Sequence, residues 1–171
     1  LKKIINIENH RKKIWIIGGI NEKRVQKGGV LYFDIVENKW CQGESDYPLE
    51  IHAHKSTRLK DGRILTTGGF NMRVYDKNSY IFDPKNIKNG FTRVKDMIIE
   101  RRFHSLVTLH DGRVMACGGW NHEALTFNNI EFYDPVKDEW TLSPGKMSQK
   151  RQRHTAVTLK NGEVLIMGGF D

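Results

Sequence analysis

The stretch "GRVMACGGW", Gly112 to Trp120, sets a wholly apolar run against two consecutive glycines. The same wording stands at Gly62–Phe70 as "GRILTTGGF" and at Gly162–Phe170 as "GEVLIMGGF", with "KIWIIGGI" at Lys13–Ile20 as a fourth version. The glycine pairs fall at 18–19, 68–69, 118–119 and 168–169, a period of 50 residues. A period of that size marks a repeat architecture, in which each unit buries its faces only against its neighbours.

The content of one unit follows from its local signals. In the third copy, "HSLVTL" (His104–Leu109) and "RVMAC" (Arg113–Cys117) are short runs of strand-forming residues separated by "HDGR". Asp-Gly between such runs predicts a tight hairpin of type I′, with positive φ at both central positions. "KDGR" and "KNGE" repeat it in the second and fourth copies. Past the glycines comes a variable loop, then "NIEFYDPVKDEW" from Asn129 to Trp140, in which Asp134-Pro135 suits another turn. "YFDIVENKW" (Tyr32–Trp40) and "YIFDPKNIKNGF" (Tyr80–Phe91) match it. Each unit therefore reads as a four-stranded antiparallel meander, with strands a, b, c and d in chain order, and no segment carries a sustained helical period.

The double glycines, the aromatic-Asp-Pro turn at Tyr133–Pro135, the later aromatic (Trp40, Phe91, Trp140) and the arginines before strand a together resemble kelch repeats, the blades of a β-propeller. "LKDGRILTTGG" and "LHDGRVMACGG" look like the kelch variety of galactose oxidase-like proteins. The resemblance implies an all-β chain: a β-propeller fragment of about three and a half four-stranded antiparallel blades. Blade one then covers residues 4–49, blade two 52–97 and blade three 101–147, and 151–171 hold the first two strands of blade four. "ENHRKK" replaces the Asp-Gly hairpin in the first copy, leaving its strand a the least defined. Propellers close with roughly four to eight blades. The open end faces are therefore expected to need further blades, another copy or a partner.

Composition limits the functional classes. The 171 residues are 38% hydrophobic and 28% charged, ordinary for a globular chain. The net charge of +8 admits an acidic partner, but the basic residues are scattered, so no nucleic acid is expected. No apolar run is long enough to span a bilayer and no signal peptide opens the chain, so no membrane partner is expected and the cytoplasm is the expected address. The initial Leu hints at a longer gene product. Two cysteines, Cys41 and Cys117, make no disulfide framework and read as buried filler.

In an antiparallel meander the a–b and c–d turns lie on one side and the b–c and d–a connections on the other. The second side carries the variable segments, including Phe70–Asn78, Trp120–Asn129, Lys95–His104 and Pro144–His154. Loops on a rigid scaffold are the usual carriers of binding. Arg101, Arg102, Arg151 and Arg153 fall there, and the kelch resemblance implies that such positions in adaptors bind acidic peptides; packing between blades is the alternative. His54, His104 and His154 share one register and are candidates for hydrogen bonding between blades or for partner contact. They are spaced too widely to converge at about 2 Å on one zinc ion. Arg58, whose equivalents are Thr108 and Thr158, is expected to reach into the channel or pair with an acid not identified in the sequence. Trp120 is a candidate binding anchor, while Phe70 and Phe170 at the same register are expected to pack between blades and Trp40, Phe91 and Trp140 to be core. His10, His52 and His122 read as ordinary surface residues. No catalytic residue, cofactor or metal is assigned. The chain reads as a scaffold or adaptor module for a protein partner such as an acidic peptide. A sugar epimerase, mutarotase or galactose oxidase-like copper enzyme is the rival; in the former, His104, Arg102 and Glu100 would do acid–base work.

Overall fold

The computed structural model describes residues 13–19, 29–46, 48, 50–71 and 73–171, with 44–46 given by backbone alone. The expected strand a of blade one, His10 and most of the 20–29 loop lie outside the described residues.

A first sheet contains β1 (Lys13–Ile17), β2 (Gly29–Asp34) and β3 (Lys39–Asp46) in that spatial order. The second is a complete four-stranded meander of β4 (Lys55–Arg58), β5 (Ile64–Phe70), β6 (Tyr75–Phe82) and β7 (Phe91–Val94), with a short 3-10 turn at Ile87–Asn89 before its last strand. The third begins with β8 (Ser105–Thr108) and β9 (Val114–Cys117). A small hairpin, β10 (Trp120–Asn121) and β11 (Leu125–Thr126), interrupts it before β12 (Asn129–Asp134) and β13 (Glu139–Lys146). The pair β14 (Thr155–Thr158) and β15 (Val164–Met167) ends the chain. All these pairings are antiparallel.

The sheets stack as propeller blades, which explains the uninterrupted apolar wording of β9. Alternate residues of a strand face opposite sides. Val114 and Ala116 enter a core with Leu59, Leu65, Ile81 and Met97 of the second blade, while Met115 and Cys117 meet Ala156, Val164 and Ile166 of the fourth. Both sides are covered, so both sets are apolar. The glycines follow from the same stacking: a Cβ on Gly68 would lie 2.4 Å from the Arg101 carbonyl oxygen, and one on Gly118 2.5 Å from that of Arg151. Both also adopt positive φ, which glycine tolerates at least cost.

Two expectations need correction. The a–b hairpins are not type I′: the Gly62 amide bonds to the Leu59 carbonyl and the Leu59 amide to that of Arg63, and of Lys60, Asp61 and Gly62 only the glycine has positive φ. A three-residue loop with glycine in the left-handed place matches the strand twist equally well. The Asp61 carboxylate accepts from the Arg63 amide at 2.9 Å, and Asp111 and Asn161 repeat the contact. Nor is Trp40 core. It is 59% exposed, whereas Trp140 is 7% exposed and donates its indole N–H to the Lys95 carbonyl of the preceding blade. No preceding blade covers Trp40 among the described residues.

Candidate partner-binding site

The site grows from a ladder that joins successive blades just before strand a. Gly19, Gly69 and Gly119 donate their amides to the carbonyls of Ile51, Arg101 and Arg151. Two positions on, Ala53, Phe103 and Arg153 all adopt left-handed backbone, with φ of 58, 57 and 54°. Their amides and carbonyls also join across blades, Phe103 to Ala53 and Arg153 to Phe103, at 3.0 and 2.9 Å. A backbone tied at both positions presents residues 102, 103 and 153 on a fixed frame.

The histidines belong to this ladder. His54 Nε2 lies 2.7 Å from the Ile17 carbonyl, His104 Nε2 3.0 Å from Thr67 Oγ1, and His154 Nε2 3.5 Å from Cys117 Sγ. Each imidazole thus bonds to the residue before the preceding blade's glycine pair. His104 and His154 are enclosed, at 0% and 1% exposure, and present no surface to a partner. Burial, reinforced by Arg101, holds His104 well below its usual pKa, and burial with Arg151 pulls His154 down to about 4. Both are therefore neutral near pH 7. The Cys117 thiol is pushed up to about 11 by burial, so the proton stays on sulfur and the Cys117–His154 pair is no nucleophilic dyad.

The four arginines separate. Arg101 is fully buried: its guanidinium meets the Glu131 carboxylate at 2.5 Å and donates to the Gly118 carbonyl at 2.9 Å. Glu131 in turn accepts the amides of Ile98 and Ile99. These groups lock the blade-two to blade-three connection, so Arg101 is removed from the contact surface. Arg151 holds the matching place, donating to the Gly168 carbonyl at 2.7 Å and to Gln149 at 3.0 Å.

Arg102 stands on the variable face within an aromatic box. Its Cζ lies 4.5 Å from the Trp120 ring centroid, 4.7 Å from Phe70, 4.9 Å from Phe103 and 5.2 Å from Tyr75. Paired backbone bonds between Arg102 and Trp120 fix the box, and Phe70 stacks on Tyr75 at 4.8 Å. Arg153 covers Phe103 at 4.2 Å, so two guanidiniums share one ring. Each such contact is worth about 0.5–2 kcal/mol. Among the described residues neither Arg102 nor Arg153 pairs with a carboxylate, and Arg102 Nε is buried without a hydrogen-bond partner. Burial lowers the Arg102 pKa, Tyr75 opposes this and Arg153 adds to it. A guanidinium remains charged nevertheless, so an arriving anion would relieve the repulsion from Arg153.

Sequence reasoning named Trp120 but missed Tyr75 and Phe103 as its companions. Their signal was present as aromatic residues in the variable segments "FNMRVYDKN" and "KDMIIERRFH". Arg58 does not join the box. It is exposed beside Gly62 at the opposite, a–b turn side, and lines a cleft of about 280 Å³ with Lys13, Trp15 and Lys85. Among the described residues it pairs with no acid. His52 is also more than a bystander, since its ring meets Phe70 edge-on at 5.6 Å. Among the described residues no group of three or more His, Cys, Asp or Glu is placed to hold a metal ion, and no helix is long and apolar enough to cross a membrane.

Stacked meanders with these inter-blade bonds define a β-propeller repeat protein. The family model described as "KLHDC2/KLHL20/DRC7 Kelch-repeats domain" matches residues 4–169, and the chain belongs to the kelch-repeat family. Among curated proteins it is similar to N-acetylneuraminate epimerase of Salmonella typhi, 27% identical over 70 residues, covering 38% of this chain and 18% of the relative. The Salmonella enteritidis enzyme of the same name is 26% identical over the same length, with the same shares. The aligned stretch thus spans less than a fifth of those relatives.

Proposed function

We propose that this chain is part of a kelch propeller adaptor or scaffold that recognises an acidic segment of another protein through its b–c and d–a face, in the cytoplasm. The observation that carries the reading is Arg102, held among Phe70, Tyr75, Phe103 and Trp120 with no carboxylate partner among the described residues and with Arg153 alongside. A guanidinium presents a planar fork that suits a carboxylate. The aromatic rings prepay its ordering and offer apolar surface to residues flanking the acid. Both cysteines are free thiols, as suits a reducing compartment.

Binding of fluorescent acidic peptides and matched amide peptides, followed by anisotropy, tests the reading. Arg102→Ala should weaken the acidic peptide by about tenfold or more, as expected for a charge-assisted contact, and Arg153→Ala by less. Equal affinity of wild type and both variants refutes it. A second reading rests on the same box and the epimerase similarity: N-acetylneuraminate carries a carboxylate on a ring that could stack on Trp120. Saturable binding of that sugar acid, lost in Arg102→Ala, would favour it. His104 is ill-suited to acid–base work there, because its imidazole is enclosed against Thr67.

A further inference from the structure

We infer that Leu125, at the closing corner of the β10–β11 hairpin, is an apolar anchor for the partner: the segment that places an acid at Arg102 carries an aliphatic side chain close to that acid. The inference rests on the acidic-segment reading and says which acidic segments the face selects.

The backbone of Leu125 is the first observation. Among the described residues six that are not glycine have positive φ. Five of them hold recurring places, Asn38 and Asp138 in c–d turns and Ala53, Phe103 and Arg153 in the ladder before strand a. Leu125, at 54°, stands outside both series. The a–b hairpins give their left-handed place to Gly62, Gly112 and Gly162, with φ of 95, 95 and 93°. A Cβ in left-handed backbone crowds the following carbonyl oxygen, so glycine or asparagine would fill the Leu125 corner at less strain. The corner is imposed by what lies beneath it. Asn121, 3% exposed, accepts the Ala124 amide at 2.8 Å and donates to the Glu100 carbonyl at 3.1 Å, while Gln152 of blade four holds Thr126 at 2.9 Å.

Exposure is the second observation. Leu125 bears the strain and still leaves 60% of its surface in water, so the fold gains little from choosing leucine there. Strain held in place by its surroundings and concentrated at a contact face points to a ligand. Blade two repeats the exposure. Val74 precedes Tyr75, the partner of Phe70, as Leu125 precedes Thr126, the partner of Trp120, and it is 58% exposed in a blade with described neighbours on both sides. An exposed aliphatic residue is therefore a property of this place on the disc, beside the aromatic rings that hold Arg102. Charge sets the rest of the occupant, because Arg102 has no carboxylate partner among the described residues.

Labelled peptides of Gly and Ser carry one Glu, with or without one Leu placed one, two or three residues to either side. Each is titrated against the whole chain by anisotropy. The best Glu-and-Leu peptide should bind the wild type about fivefold or more tightly than the Glu-only peptide, as suits partial burial of an aliphatic side chain. Leu125→Asn should reduce that advantage to within about twofold. Asparagine tolerates left-handed backbone, so the melting temperature of the variant should equal or exceed that of the wild type, whereas a leucine needed for packing would leave it lower. No advantage from Leu in the wild type, an undiminished advantage in Leu125→Asn, or a clearly lower melting temperature would overturn this inference alone, provided Glu-only binding still weakens in Arg102→Ala. Absence of binding by every peptide, or Glu-only binding indifferent to Arg102→Ala, would overturn it together with the acidic-segment reading.

Discussion

Acidification should loosen the joints between blades, and His154 gives the magnitude. Its imidazole is 1% exposed in contact with Cys117, and burial pulls its pKa to about 4 from an ordinary 6.5. Between those values the unfolded chain binds a proton that the native chain refuses. The stabilisation is full above 6.5 and is lost as the pH falls towards 4. At about 1.4 kcal/mol per decade the loss reaches about 2 kcal/mol at pH 5 and up to about 3 kcal/mol below both values. His104, shifted in the same direction by burial, adds to it. Urea unfolding at about pH 7.5 and pH 5 would measure the wild type and His154→Asn, which cannot titrate. Each protein is compared with itself, so the lost hydrogen bond cancels. The wild type should lose about 2 kcal/mol more than the variant between the two conditions. An equal loss in both would show that His154 is not held neutral, and the reasoning from its burial would fail.

Glu131→Gln should destabilise by about 3–5 kcal/mol, because it strands a buried guanidinium. The pair Arg101→Ile with Glu131→Tyr, copying Ile51 and Tyr80 at the same places in blade two, should recover most of that in denaturant unfolding. Gly118→Ala should lower the melting temperature far more than Gly168→Ala. Both have positive φ, but the new Cβ at Gly118 would meet backbone at 2.5 Å, while at Gly168 nothing lies within 4 Å; similar losses would rule out the close approach as the cause.

Much of the site was legible only in part. Arg101 and Arg102 are neighbours in sequence with the same side-chain chemistry, yet one is sealed against Glu131 and the other stands in an aromatic box. Adjacent residues of an extended chain point to opposite sides, and what each meets comes from other blades. Tyr75 was unremarkable in sequence because its relation to Arg102 passes between two blades, and Phe103, though next to Arg102 in the chain, because its place under both Arg102 and Arg153 is set by the fold. The β10–β11 hairpin was equally hidden, being two residues per strand. His104 and His154 had a visible period, but their partners, Thr67 and Cys117, are 37 residues away.

The sequence by itself determined the repeat. Glycine pairs every 50 residues, the Asp-Gly or Asn-Gly hairpins and the aromatic-Asp turns are local demands of backbone geometry, and local demands are written locally. The tertiary structure decided burial. β9 and β15 read almost alike as "VMAC" and "VLIM", yet the first is buried throughout while the second exposes Leu165 and Met167. A strand's covalent pattern fixes which residues share a side; only a neighbouring blade removes that side from water. The same rule separates Trp40 from Trp140.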